Sequence, residues 1–317
     1  LNGSFHEDRS ALFVRPAPAK EKKHSVWRSF DFSGLVQIEF TKMEGAGNDY
    51  VYLDFLEAAP ADLSATQIAA ISDRHFGIGS DGVVQILPSS RADALMRMWN
   101  ADGSESSMCG NALRCVAFYT ARKLGRSQLT LESKTGLHSA RILESSGVSS
   151  IAEVAIAAPA FEASRIPVLP EHLGLSGEGP FFDFSVPHVP GKGSLVSMGN
   201  PHLVIFVDNP AAVVLEKTGP ALENHPAFPA RTNVEFVSVL ADGSLKQRTW
   251  ERGAGETLAC GSGICAVLAA AHKTGRSGAK NTIHVRGGDL TAEWKEDGII
   301  YLTGPARIVF EGRITVH

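Results

Sequence analysis

Residues Arg248 to Ala266, RTWERGAGETLACGSGICA, set a cysteine between two glycine-rich turns at the head of an apolar run. An earlier stretch, Trp99 to Val116, WNADGSESSMCGNALRCV, repeats the layout. Each has a Trp with a polar neighbour, a Gly-containing turn, and a Cys-Gly ten residues after the Trp. Gly47-Asn48 precedes Cys109 by about the interval that separates Gly199-Asn200 from Cys260, and each Gly-Asn opens an apolar run ending in Asp, Asp54 and Asp208. The chain therefore reads as two copies of one unit. The expected fold is α/β (α+β) with two pseudo-symmetric halves, each of strands wrapped around a central helix, and an active site at their junction between Cys109 and Cys260.

The bulk composition sets limits on function. With 317 residues, 44% apolar and 20% charged, the chain can bury a sizeable core and form two domains. A net charge of -4 with interspersed signs gives no basic stripe, so nucleic-acid binding is not expected. The apolar run Ile264 to Ala271 is too short to cross a bilayer and is followed by Lys273 and Arg276, so no membrane association is expected either. The four cysteines fall as two pairs, one in each repeat, which is not a secreted disulfide framework. A reducing, cytoplasmic setting is expected.

Residues 1–37, with PAPAKEKK near their middle, read as a flexible N-terminal extension lacking the apolar core of a signal peptide. The N-terminal half is expected over 38–158, with the strand at 307–317 returning to it, and the C-terminal half over 159–306. Alternation predicts strands at Gln37 to Phe40 and in the second half of TKMEGAGNDYVYLD. Leu63 to Phe76 reads as a helix capped by Ser64, and VVQIL as the strand after the turn at Gly77 to Gly82. Helices are expected from about Asn111 to Lys123 and from Gly263 to Lys273; both are apolar on nearly every face and must be surrounded by protein. Further strands are expected at Gln128 to Leu131, Ile151 to Ala157, Leu203 to Val207, Val234 to Val239 and Ile299 to Leu302. Pro159 to Gly193, rich in Pro and Gly, reads as linker and loops.

A cysteine at a helix start meets the positive end of the backbone dipole and the free amides of the first turn, which favour thiolate. Gly110 and Gly261 let a ligand approach those amides, which also suit a carboxylate. Two such sites face to face would grip a small amino or hydroxy acid by its carboxylate, with one sulfur on each side of the α-carbon. One thiolate removes the proton, the opposite thiol delivers another, and the configuration inverts. No lysine sits in the context of a pyridoxal phosphate site, so the expected substitute for that electron sink is a dry, preorganised site with no cofactor. Cys-x5-Cys and Cys-x4-Cys lack histidines at ligand spacing, so no metal is expected.

The motifs GAGNDYVYLD, NADGSESSMCGN, SMGNPH, ARTNVEF and WERGAGETLACGSG resemble, in order and spacing, those of the diaminopimelate epimerases, over essentially Ile38 to Gly312. The resemblance implies a cofactor-independent isomerase of lysine and peptidoglycan-precursor biosynthesis, converting LL-diaminopimelate to the meso form, usually as a homodimer. By matching positions it implies Cys109 as proton donor and Cys260 as acceptor. It likewise implies Gly110 with Asn111 and Gly261 with Ser262 as the carboxylate-binding turns. Asn48, Asn100, Asn200, Asn233, Glu251 and Arg252 match substrate contacts, and His202 resembles the residue bonded near a catalytic thiol together with Glu251. Glu251 and Arg252 also suit the ammonium and carboxylate of a non-reacting end.

The chain departs from the family pattern in two places. Ala112 and Leu113 stand where members commonly have Gly and a different aliphatic residue, and Gly82 stands where some carry a substrate-binding Gln. Alternatives left open by the residues are a related racemase of another amino acid, or a non-catalytic small-molecule binding protein on the same scaffold. Proline racemases would not need Arg252 and several asparagines, and a degenerate binder would be expected to lose a cysteine. Cys115 and Cys265, deeper in the helices, read as core thiols.

Overall fold

The computed structural model describes residues 36–316. The expected extension lies outside the described residues except for its last two positions, which belong to the first strand. β1 (Val36–Gly45) forms a hairpin with β2 (Asn48–Asp54). Its turn needs positive φ at Ala46 (55°) and Gly47 (79°). β2 runs parallel to β3 (Gly82–Leu87), with α1 (Ala65–Ser72) in the crossover. β3 pairs antiparallel with β4 (Ala94–Asn100), and β4 with the short β5 (Glu105–Ser106). After α2 (Gly110–Leu124), β6 (Gln128–Ser133) returns parallel to β4, and β7 (Gly136–Ser145) and β8 (Ser149–Ala157) continue antiparallel.

The same order of pairings then recurs. β9 (Phe184–Ser185) borders β10 (Lys192–Ser197), which pairs antiparallel with β11 (Pro201–Phe206). β11 runs parallel to β12 (Asn233–Val239), with α3 (Leu215–Glu223) in the crossover. β12 pairs with β13 (Leu245–Glu251), and β13 with β14 (Gly255–Thr257). α4 (Gly261–Lys273) leads to β15 (Lys280–Val285), parallel to β13. β16 (Gly288–Trp294) and β17 (Ile300–Val316) follow antiparallel. β17 is long enough to serve both sets: it pairs with β16 over Ile300 to Thr303, with β8 over Ile300 to Arg307, and with β1 over Arg307 to Val316.

The two long helices explain their own sequences. α2 packs against β1, β2, β4, β6, β7, β8 and β17, and α4 against β10, β11, β12, β15, β16 and β17. Both are sheathed by strands and are buried on nearly every side until the last turn, where Arg122 and Lys123 of α2 and His272 and Lys273 of α4 reach the surface. Their side chains share one hydrophobic cluster with Leu302, Ile156 and Val204. Each starts earlier than apolar periodicity alone marks, at the glycine after its cysteine, which makes Cys109 and Cys260 the N-cap residues.

Two expectations need correction. α1 stops at Ser72 rather than running to Phe76: Asp73 turns extended at the C-cap, and its carboxylate accepts from the amides of His75 and Phe76, competing with helical bonding. Ser64 caps α1 in a reciprocal box with Gln67. The stretch 159–193 is more than a linker, since Ile166, Val168, Leu173, Phe181 and Phe184 fill a second cluster with Leu203, Val234 and Phe236. Burying those side chains repays the ordering of a Pro- and Gly-rich segment.

Candidate active site

The N-termini of α2 and α4 abut. A Cβ added to Gly261 would lie 3.3 Å from the Gly110 Cα and 3.3 Å from Leu302 Cδ2, and one added to Gly110 would lie 3.7 Å from the Gly261 Cα. A side chain at Gly261 would crowd this meeting of the first turns, and one at Gly110 would crowd Ile156, 3.1 Å from its Cβ place. Both sets of free amides therefore converge on one small volume, flanked by Cys109 and Cys260.

The bonding around the thiols is unlike on the two sides. Cys109, half-buried, donates its Sγ hydrogen to Asn48 Oδ1 at 3.3 Å. Asn48 Nδ2 in turn donates to Asp81 Oδ2 at 2.6 Å, and the Asp49 amide donates to the same oxygen at 3.1 Å. Arg74 braces Asp81 at 3.0 Å and Asp49 at 2.7 Å. Cys260, 4% exposed, accepts from the Gly263 amide at 3.4 Å and lies 3.6 Å from Ser262 Oγ. Ser262 Oγ accepts from Asn200 Nδ2 at 3.2 Å, and Asn200 Oδ1 lies 3.0 Å from His202 Nε2. His202 Nδ1 lies 2.8 Å from Glu235 Oε1, with both side chains wholly buried.

Glu251 bonds the Cys260 thiol directly, and the separate link to that thiol through Ser262 and Asn200 ends on His202. The carboxylate bonded to His202 is Glu235, which follows Asn233 by two places on β12 and so shares that strand's inner face. Glu251 also accepts from Thr257 Oγ1 at 2.5 Å. It also raises the Cys109 thiol electrostatically, so it stands near both sulfurs. Burial pushes the Glu251 carboxyl above the ordinary carboxylate range despite these bonds. Tyr50 was not foreseen: its buried hydroxyl bonds Asn48 and feels Cys109, Asp81 and Glu251. The signal available was its place two residues after Asn48 in the repeated Gly-Asn motif.

Helix amides alone do not make these thiols acidic. Burial pushes Cys109 up, against the opposing pull of the Ala112 and Asn111 amides and the Arg114 charge. Burial, Glu251 and Glu235 push Cys260 well above the usual thiol range, against the Ser262 hydroxyl and the Gly263 amide. In this desolvated pocket, ionisation of a thiol needs a nearby proton acceptor or a bound cation. Cys115 and Cys265 are raised to about 12 chiefly by burial, and they sit in the core.

The remaining expected residues divide by role. Asn111 is 1% exposed and uses its side chain internally, donating to Ala259 O at 2.9 Å and accepting from Arg114 at 2.9 Å. Asn233 is spent likewise, on Pro201 O and the Arg252 amide, each at 2.9 Å. Arg252 is exposed and reaches Ala230 O at 3.0 Å. Asn100 is exposed at the end of β4, bonded to Ser104 at 3.0 Å. Gly82 has no room for the Gln of other members: φ is 155°, and a Cβ would overlap the Trp99 carbonyl and lie 2.9 Å from Tyr50 Cε1. Among the described residues, no group of three or more His, Cys, Asp or Glu side chains is placed to hold a metal ion.

A sequence profile of diaminopimelate epimerase matches residues 40–152 and 194–309, which hold both cysteines and every residue named around them. The chain belongs to the diaminopimelate epimerase family. The diaminopimelate epimerase of Methanococcus maripaludis strain C5 is 46% identical over 286 residues, covering 88% of this chain and 100% of that protein. Those of Acetivibrio thermocellus and Leptospira biflexa are 44% and 43% identical, covering 88% and 89% of this chain and 99% and 100% of their own. Among solved structures, a PhzF-family phenazine biosynthesis protein from Bacillus anthracis aligns with a TM-score of 0.63 at 17% identity, over 88% of this chain and 99% of that one. A hydroxyproline epimerase from Agrobacterium vitis, with bound trans-4-hydroxy-L-proline, aligns at 0.62 and 15% identity, over 88% and 92%. At such identities these two define the mixed α/β fold that diaminopimelate epimerases share with them, and nothing finer.

Proposed function

We propose that the protein inverts one α-carbon of diaminopimelate, interconverting the LL and meso forms by proton transfer between Cys109 and Cys260. Meeting of the two cysteine-capped helix starts at Gly110 and Gly261 carries this reading. The substrate carboxylate sits on the converging amides, with the α-carbon between the sulfurs. Glu251, near both thiols and raised toward neutrality, takes the proton that makes the attacking thiolate. The thiolate removes the α-proton, the charge spreads into the carboxylate against the helix amides, and the opposite thiol supplies a proton to the other face. Each such donor is worth roughly 3 to 4 kcal/mol in other enzymes.

The repeated pairings support reading the chain as two pseudo-symmetric halves, roughly 38–158 and 159–306, that enclose the substrate and exclude water. Arg252, Asn100 and the Asn233-held turn supply the polar grip for the second amino-acid end, where a proline-type substrate has nothing to offer. Exposed Val309 and Phe310 on β17, with Phe310 edge-to-face against Phe40, suit the surface of a homodimer.

The test is proton exchange from D2O into LL-diaminopimelate, followed by NMR and chiral analysis, for wild type, Cys109→Ser and Cys260→Ser. α-Deuterium with inversion at one centre, lost in both variants, supports the reading. Exchange with a simpler amino acid but none with diaminopimelate overturns the substrate assignment.

A further inference from the structure

Asn48 and Asn200 occupy equivalent places in the two repeats, yet their amides face the thiols with opposite polarity. Asp81 can only accept when ionised, so it takes the Asn48 NH2 and turns Oδ1 toward the Cys109 hydrogen. Asn200 is anchored from its other end. His202 holds Oδ1, so NH2 points to Ser262 and, through it, toward Cys260. The Gly263 amide adds a second donor at that sulfur.

We propose that Asp81 and the His202–Glu235 pair are positioning residues that fix these two amide orientations, so that an amide oxygen meets the Cys109 thiol while an amide NH2 holds the Ser262 hydroxyl beside Cys260. The proposal rests on the epimerase reading for its catalytic meaning, though not for its geometry. Asp81 and Glu235 touch neither sulfur; each acts through an asparagine.

On the Cys260 side the Asn200 orientation depends on how His202 is held. Glu235 is wholly buried, its Oε1 meets His202 and its Oε2 has no partner. Among the described residues, His202 is the one basic side chain within ion-pair distance of it. The Asn200 oxygen needs a proton on His202 Nε2, and the hydrogen bond between Nδ1 and Glu235 Oε1 holds the ring in the orientation that points Nε2 there. A ring whose one proton lies on Nδ1 would accept at Nε2, and the Asn200 amide would flip and turn its oxygen on Ser262. Loss of the pair thus draws the Ser262 hydroxyl hydrogen away from Cys260, leaving the Gly263 amide as donor there. The titratable groups facing His202 are Glu235 on β12, Glu251 on β13 and Cys260 at the head of α4. Gly263 protects the arrangement, since a Cβ there would lie 2.6 Å from Glu235 Oε1.

The sign of one shift separates this role from bare electrostatics. A lone negative charge at Glu235 disfavours a thiolate at Cys260, so its removal by Glu235→Gln should then lower the pH midpoint of Cys260 ionisation. If Glu235 acts through His202, Asn200 and Ser262, the same substitution raises that midpoint, by about one pH unit for one hydrogen bond to a charged sulfur. The measurement is iodoacetamide alkylation of the substrate-free enzyme against pH, read separately at Cys109 and Cys260 by peptide mass spectrometry. Midpoints do not depend on how accessible each sulfur is. The expected result is an upward shift at Cys260 alone in Glu235→Gln, reversed by Glu235→Asp, and a downward shift at Cys109 alone in Asp81→Asn. A downward or absent shift at Cys260 overturns the proposal, as does an unchanged Cys109 in Asp81→Asn. Should Glu235→Gln fail to fold, Asn200→Ala decides, because it leaves every charge in place: an upward shift at Cys260 supports the proposal and an unshifted midpoint overturns it. No substrate is used, so failure of the diaminopimelate assignment shows only in the deuterium experiment.

Discussion

Gly261 stands with the place of its missing side chain 3.3 Å from the Gly110 Cα, so the two helices that carry the thiols touch at their first residues. Any widening of that contact moves both sulfurs away from a substrate between them. Neither glycine has a positive φ, so alanine would meet a neighbour without backbone strain. Gly261→Ala is expected to lower kcat by about 100-fold through a sub-ångström displacement, with a small change in Tm. Steady-state kinetics beside thermal unfolding checks this, and an unchanged kcat would show that the contact does not set the reacting distance.

Glu251 gives a pH dependence with a definite sign. Burial raises its carboxyl above 4.5, and as a proton acceptor it works only when ionised. Activity should therefore fall as pH drops through that raised value, at a higher pH than a free glutamate would give. Glu251→Gln should lose most activity and abolish this acid limb in what remains. A pH profile of kcat/KM with the same limb in the variant would assign the titration elsewhere.

Gly82 is expected to resist substitution. Gly82→Ala must leave φ near 155° and move the Trp99 carbonyl, a backbone conflict that no rotamer relieves. A loss of about 2 kcal/mol or more in unfolding free energy is expected from chemical denaturation. A neutral result would mean that the β3 and β4 backbones separate easily.

Arg114, wholly buried on α2, bonds Asn111 Oδ1 at 2.9 Å and Pro305 O at 3.2 Å, with no carboxylate in ion-pair range among the described residues. Asn111 then reaches across to Ala259 O, the residue before Cys260. Arg114→Met keeps an unbranched apolar stem, removes the guanidinium and leaves those acceptors unpaired in the core. It should cost about 3 kcal/mol in stability. It should also raise the pH at which Cys109 is alkylated, since the guanidinium favours that thiolate. Equal stability with an unshifted Cys109 would refute both roles.

What the sequence determined by itself was the repetition. Two Cys-Gly turns at matched distances from Trp and Gly-Asn, heading helices apolar on every face, specify two strand-sheathed helices with a thiol at each head, because such helices must be surrounded by strands and a Cys-Gly start leaves its amides free. Local chemistry was legible as well, as at the Ser64 cap of α1. The tertiary structure decided which groups share the space between the two heads. Glu235 looks like an ordinary inward position on a strand until β12 aligns with β11 and sets it against His202. Tyr50 and Glu251 belong to different repeats and meet only across the junction. The unlike settings of Asn48 and Asn200, in motifs that read alike, come from the partners that each finds 33 residues away or at an i+2 place on a strand. Sequence periodicity records the face on which a residue lies, whereas hydrogen-bond polarity is fixed by the atoms that long-range packing brings opposite it.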